Sequence, residues 1–143
     1  MKGETNFMYC EKMTYTDFDG NEHEEELRFN LTQAELLEWE LTTEGGMQKL
    51  LEKIVAEKDK VKLAEMFRTI ILKAYGVKSA DGKRFVKVID GHRVSEDFAQ
   101  TQVYSDFMMS LFTDPQKQID FVNAIVPQVQ KNEGSPVPPA VLK

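Results

Sequence analysis

Side chains suited to chemistry are scarce in this sequence. One cysteine and two histidines are all that its 143 residues contain. Cys10 has no partner for an internal disulfide, which points to a reducing compartment. It falls on an expected strand with only Lys12 as a basic neighbour, so a packed thiol is expected. His23 lies in Glu22-His23-Glu24-Glu25-Glu26. That run lacks both the His-x-x-x-His spacing of zinc sites and the pattern of a calcium loop, and is expected to be a solvated acidic strand end. His92, with Asp90 and Ser95, supplies the atoms of a Ser/His/Asp set. No G-x-S-x-G elbow accompanies it, and triads draw their members from separate elements. A turn carrying a histidine, followed by Ser95 as a helix N-cap, is expected instead. Gly45-Gly46 lacks the Lys-Ser/Thr that follows a phosphate loop. No run approaches the ~20 apolar residues that span a bilayer, and the first ten residues, MKGETNFMYC, contain no signal-peptide core. The expectation is therefore a non-catalytic cytoplasmic protein with no catalytic residues, metal site, cofactor or membrane segment.

Basic residues are also in deficit, 18 against 24 acidic, for a net charge of −6. This argues against nonspecific nucleic-acid binding, which depends on clustered Lys and Arg. The charge is unevenly placed. Asp17–Glu44 holds ten acidic residues and one arginine, whereas Gln48–Arg93 holds twelve basic residues and six acidic ones. Such asymmetry either steers a partner or a second copy, giving a homo-oligomer, or simply makes two differently charged solvated faces. The basic residues of Lys49–Lys62 alternate with Glu52, Glu57 and Asp59, as in a helix surface laced by i,i+4 pairs.

Hydrophobic content of 41% and charged content of 29% match a soluble globular chain of one domain. Phe7, Tyr9, Met13 and Tyr15 alternate with Met8, Cys10, Thr14 and Thr16, the period of a strand. Asp19-Gly20 supplies a turn, and Glu24–Asn30 returns with Glu25, Leu27 and Phe29 on one face. Thr32 and Glu35 form a capping box opening a helix to about Leu41, stopped near Gly45-Gly46. A second helix is expected from Met47 to Glu57. Leu63, Met66, Phe67, Ile70, Ile71 and Ala74 make one apolar stripe, with Gly76 as a left-handed cap. Asp81-Gly82 marks a turn, and Arg84–Ile89 is a candidate short strand against the hairpin. From Ser95 a helix is expected to run through Phe112 with Tyr104, Phe107, Met108, Leu111 and Phe112 facing inward. Asp114-Pro115 opens a last helix, with Ile119, Val122, Ile125 and Val126 inward and Pro127 as its stop. Residues 128–143 lack periodicity and are expected to be a disordered tail. The expected fold is mainly α (α+β). A compact helical domain of about five helices carries a small N-terminal antiparallel β-hairpin or sheet, with 1–127 as a single globular domain, 1–30 its hairpin and 31–127 its helical part.

What is abundant is soft and aromatic apolar surface. Seven Met and nine Phe are present, with Phe107, Met108, Met109 and Phe112 close together. Met109 falls off the inward stripe. Met-rich surfaces accept varied apolar partners, although Met most often fills core gaps, and both readings stand at this point.

The wording of two segments is suggestive. YGVKSADGKRF at Tyr75–Phe85 and FAQTQVYSDFMMSLFTDPQKQIDFVNAIVP at Phe98–Pro127 resemble the tail assembly chaperones of long-tailed, siphovirus-like bacteriophages and prophages. The resemblance covers roughly the C-terminal half. It implies a protein of the host cell cytoplasm that binds the apolar, helical tape measure protein, keeps it soluble and helps recruit tail tube protein subunits. It further implies a longer form made by ribosomal frameshifting in many relatives. Under this reading, helices Leu63–Ala74 and Phe98–Phe112 frame a groove for an amphipathic partner helix. Its candidate contacts are Tyr75, Tyr104, Phe107, Met108 and Met109. The alternative is a small non-catalytic adaptor or regulatory protein that binds a host or phage protein.

Overall fold

The computed structural model describes residues 8–42 and 46–125. The N-terminal hairpin pairs β1 (Met8–Thr16) with β2 (Glu22–Asn30), Tyr9 opposite Phe29 and Thr16 opposite Glu22. Its turn lies where Asp19-Gly20 indicates, with Gly20 at φ 88°. Asp17 holds the turn through its Oδ1, which accepts from the amides of Asp19 and Asn21, both at 2.9 Å. The Asn21 amide and the His23 ring together hold the Asp17 carboxyl below the usual carboxylate range. Leu27 and Phe29 are buried, whereas residues 22–26 are exposed. The first half of β2 is thus exposed, while Met13 and Tyr15 on the facing half of β1 pack against the core.

Helix α1 (Gln33–Thr42) opens on the expected capping box. The Glu35 amide donates to Thr32 Oγ1 at 3.1 Å, and the Thr32 amide donates to Glu35 Oε1 at 2.9 Å. Thr32→Ala removes half of this exchange and is expected to cost about 1 kcal/mol, read as a shift in urea midpoint. Helices α2 (Gly46–Ala56) and α3 (Lys60–Ala74) follow, with Asp59 capping α3 by accepting from the Val61 amide. Phe67, Ile70, Ile71 and Ala74 are buried along the predicted stripe.

Beyond Ala74 the structure departs from expectation. Gly76 is not a left-handed cap. Tyr75 leaves the helix in an extended conformation and the chain enters β3 (Tyr75–Lys78) without a loop. Strand β3 pairs antiparallel with β2, Arg28 opposite Gly76, and then with β4 (Phe85–Val86). Gly76 is required for close approach: a Cβ there would meet the Phe85 ring at 2.6 Å. The candidate strand at 84–89 is thus split. Phe85–Val86 joins the sheet through β3, not through the hairpin. β5 (Val88–Ile89) and β6 (His92–Arg93) make a separate two-stranded ribbon across Asp90-Gly91, both at positive φ as a tight primed turn demands.

The last three helices are α4 (Val94–Phe98), α5 (Gln102–Phe112) and α6 (Pro115–Ile125). The single helix expected over Ser95–Phe112 is broken, because Thr101 caps α5 by accepting from the Tyr104 amide at 3.1 Å. Ser95 is no N-cap; it is buried within α4. Asp114 does cap α6, its Oδ1 accepting from the amides of Gln116 and Lys117. In α6, Phe121 is buried and Ile119 is 54% exposed, the reverse of the expectation for Ile119.

The expectation of a mainly helical domain is corrected. The fold is α+β, a four-stranded antiparallel sheet of order β1-β2-β3-β4 with six helices among the described residues. Strands of two residues carry no periodicity, and β3 carries a glycine at a position that resembles a helix cap, so both escape pattern reading. The core lies between the inner sheet face and the helices. Phe29 stacks on Phe107 at 4.8 Å and meets Phe121 edge-on at 5.3 Å, and Tyr9 meets Phe121 at 5.2 Å. Lys117 Nζ closes this layer, 2.8 Å from Glu11 Oε2 across 106 residues of chain. Phe7 of the expected strand, Gly45 of the expected helix stop, inward Val126, the Pro127 stop and the tail 128–143 fall outside the described residues, and Gly46 of that stop instead begins α2.

Candidate partner-binding surface

The five apolar candidates do not share one surface. Phe107 has no exposed area and lies among Phe29, Tyr9 and Phe121. Tyr104 is buried, with its ring edge-on to Phe98 and its hydroxyl accepting from Arg68 at 3.0 Å. Tyr75 is half-buried and lies parallel on Phe98 at 3.9 Å. Burial pushes its phenol above the usual tyrosine value, with the Glu25 charge adding to the shift. Met108 is half-buried against the core, and Met109 is 58% exposed. The rings meant to line a groove between α3 and the α4–α5 segment pack instead on other core rings, Tyr75 and Tyr104 on Phe98 and Phe107 on Phe29 and Phe121. Met109 presents the largest free apolar area of the five.

Pattern reading missed a second apolar stripe. On α1, Trp39 faces the core beneath Lys73, whose Nζ lies 4.9 Å from the ring centroid. Leu37 and Leu41, four residues apart, point the other way at 57% and 76% exposure. Ala34 lies on the same side, and exposed Glu38 and Glu40 accompany the stripe. The signal was present as apolar residues on both sides of a helix beginning with a capping box.

The polar groups weighed for chemistry are dispersed. His92 Nε2 lies 3.2 Å from Asp97 Oδ2, and Asp90 sits in the ribbon turn at φ 52°. Cys10 is not packed inside. It is exposed on the outer face of β1, with Arg28 Nη1 at 3.5 Å from its sulfur. Among the described residues no cluster of three His, Cys, Asp or Glu side chains is placed to hold a metal ion, and no helix is long and apolar enough to cross a membrane. The expected lacing of Lys49–Lys62 is also missing: no ion pair joins these side chains among the described residues. Glu57 and Asp59 are spent on backbone amides instead.

Two tyrosines of β1 are tied to carboxylates. The Tyr9 hydroxyl donates to Glu11 at 2.9 Å and that of Tyr15 to Glu25 at 2.8 Å. Desolvation and then these hydrogen bonds raise both phenols, Tyr15 to about 12 and Tyr9 further. Below about pH 10 folded and unfolded tyrosines are equally protonated. Above it the fold keeps protons that the unfolded chain releases, so stability is expected to decline with rising pH. Urea midpoints between about pH 8 and 11 check this, and Tyr9→Phe is expected to flatten the decline.

A family model described as phage tail assembly chaperone matches residues 8–134. Neither a curated protein nor a solved structure matches the chain.

Proposed function

The chain belongs to the phage tail assembly chaperones, and from that membership we propose that it binds the tape measure protein. It would keep that long apolar helical partner soluble in the host cytoplasm and help recruit tail tube subunits, without turning over a substrate. The observation that carries this reading is Met109, 58% exposed on a helix whose opposite face is core. A flexible thioether on a rigid helix suits partners whose apolar stripes vary along their length. Met108 extends the contact from its half-buried position on the same helix, Tyr104 and Phe107 hold that helix from beneath, and Tyr75 offers a separate half-buried ring. Leu37 and Leu41 offer a second strip to an amphipathic helix laid against α1. Affinity is moderate in this reading, because tube subunits must later displace the cover.

Co-expression with the tape measure protein tests it. Wild type is expected to raise the soluble fraction of that protein and co-purify with it. Met109→Asp is expected to abolish both while shifting stability by no more than about 0.5 kcal/mol, as for an exposed position. A wild-type chain that rescues nothing, or a Met109→Asp variant that rescues equally well, overturns the proposal.

A further inference from the structure

The two edges of the four-stranded sheet are unequal. Among the described residues it is closed by β4 on one side and β1 on the other. β4 is two residues long and leaves little edge to pair with. β1 is nine residues long, and each from Met8 to Thr16 has its partner in β2 without a bulge. The Asp17 amide donates to the Asn21 carbonyl at 2.8 Å, so Asp17 faces β2. Antiparallel pairs alternate, which turns Tyr9, Glu11, Met13 and Tyr15 toward β2 as well. The amides and carbonyls of Met8, Cys10, Lys12, Thr14 and Thr16 then point away from it, and none has a hydrogen-bond partner among the described residues.

Exposed edges are ordinarily blunted by proline, bulges or inward charge. β1 has no proline, and its inward charge, Glu11, is neutralised by Lys117 at 2.8 Å. The edge also ends on a fixed frame. Asp17 Oδ1 accepts both amides that hold the turn, and Phe18 is held there at 76% exposure. Backbone already extended and held in place loses little freedom when another strand is added to it. On the core side, Tyr9, Met13 and Tyr15 are half-buried and keep apolar area free. On the outer side, Glu22 and Glu24 stand opposite Thr16 and Thr14, exposed and without an ion pair among the described residues.

We propose that β1 is a docking edge for an extended segment of another protein, added antiparallel to it, with apolar residues on the core side and Lys or Arg on the outer side. Main-chain hydrogen bonds to Met8, Cys10, Lys12, Thr14 and Thr16 supply the affinity, and the alternate side chains select the partner. The segment's apolar residues lie beside Tyr9, Met13 and Tyr15. Its basic residues lie beside Thr14 and Thr16, two strand spacings or about 10 Å from the Glu22 and Glu24 row, a distance that lysine and glutamate side chains span together. The exposed charge pairs make the contact salt-sensitive. This inference goes beyond the chaperone reading: it uses the backbone of β1 and not the Met109 face of α5, and its test involves no tape measure protein.

Amide hydrogen exchange by NMR on the full chain tests it, during titration with the capped peptide KVTVKVTVK to roughly 1 mM, where a Kd of that order becomes visible. Exchange at Cys10, Lys12 and Thr14 is expected to slow as peptide is added, while the amides of Glu11 and Met13, already bonded to β2, change little. The same peptide N-methylated at its threonines loses donors on the edge that faces β1 and is expected not to bind; N-methylation at two valines falls on the far edge and is expected to leave binding intact. EVTVEVTVE is expected to bind at least about tenfold more weakly at low salt. Thr14→Pro removes an outward amide that bonds nothing in this chain, and is expected to weaken binding about fivefold or more with unchanged circular dichroism. Should that variant unfold, the methylated peptides make the same test on the intact chain. Cys10, Lys12 and Thr14 amides already protected in the free chain would mean that the chain closes its own edge, and would overturn the proposal. So would exchange that the peptide does not slow, equal binding of the threonine-methylated peptide, or equal binding of the acidic one.

Discussion

Phe107→Ala is expected to lower the free energy of unfolding by about 3–5 kcal/mol, the cost of emptying a buried phenylalanine site. The ring contacts Phe29 face to face and Tyr9 and Phe121 edge-on, and Lys117 Nζ sits 5.1 Å from its centroid. Truncation removes the piece shared by sheet, α5 and α6. Since domains of this size hold about 5–15 kcal/mol in all, the variant would approach the edge of folding. Urea unfolding followed by fluorescence of the single tryptophan, Trp39, measures the loss. A change under about 1 kcal/mol would mean the ring is not the shared piece of this core.

Lys87→Met is expected to cost about 2–3 kcal/mol, by the same titration. Lys87 lies between β4 and β5, and its ammonium donates to the Asn30 carbonyl at 3.1 Å, the Lys73 carbonyl at 2.8 Å and Glu35 Oε2 at 2.8 Å. One charge thereby joins the end of β2, the last turn of α3 and the capping box of α1. Burial pulls its pKa below the ordinary lysine value, and Glu35 partly restores it. Methionine keeps the stem's packing but supplies no donor, so the Lys73 carbonyl at the helix end and the Glu35 carboxylate lose a charged partner. Hydrogen bonds to charged groups are worth roughly 1.5–3 kcal/mol each, and the half-buried Glu35 carboxylate still reaches water and can be rehydrated, which keeps the total near one such bond. A neutral result would place the three elements' cohesion in their apolar contacts alone.

Local rules were legible and long-range ones were not. Thr32 with Glu35, Asp114 with Pro115, and the Leu63–Ala74 stripe each depend on residues within a few positions, and each is found as expected. Gly76 was ambiguous in principle: glycine after a helix serves equally as a left-handed cap or as the gap where a ring from another strand passes. Only the position of Phe85 decides. Thr101 was hidden because the apolar period runs on across the break it caps. The candidate contacts met the same limit. Phe107 and Met109 are two residues apart in a Phe- and Met-rich helix, and helical geometry sends one into the core and the other out to solvent. Phe18, placed in a turn by the Asp-Gly signal, was legible as a position but not as an exposed ring on a fixed frame.

The bond between Lys117 and Glu11 sets an order of events during synthesis. Strand β1 leaves the ribosome first, and the helix that covers its inner face leaves more than a hundred residues later. Until then the hairpin lacks Phe107 and Phe121, so Tyr9 and Phe29 lie open on a half-built sheet. Contacts so distant in sequence make folding slow relative to helical bundles, and they prolong the interval in which apolar surface is unprotected. A nascent copy of this protein is, for that interval, itself a chain with bare apolar faces.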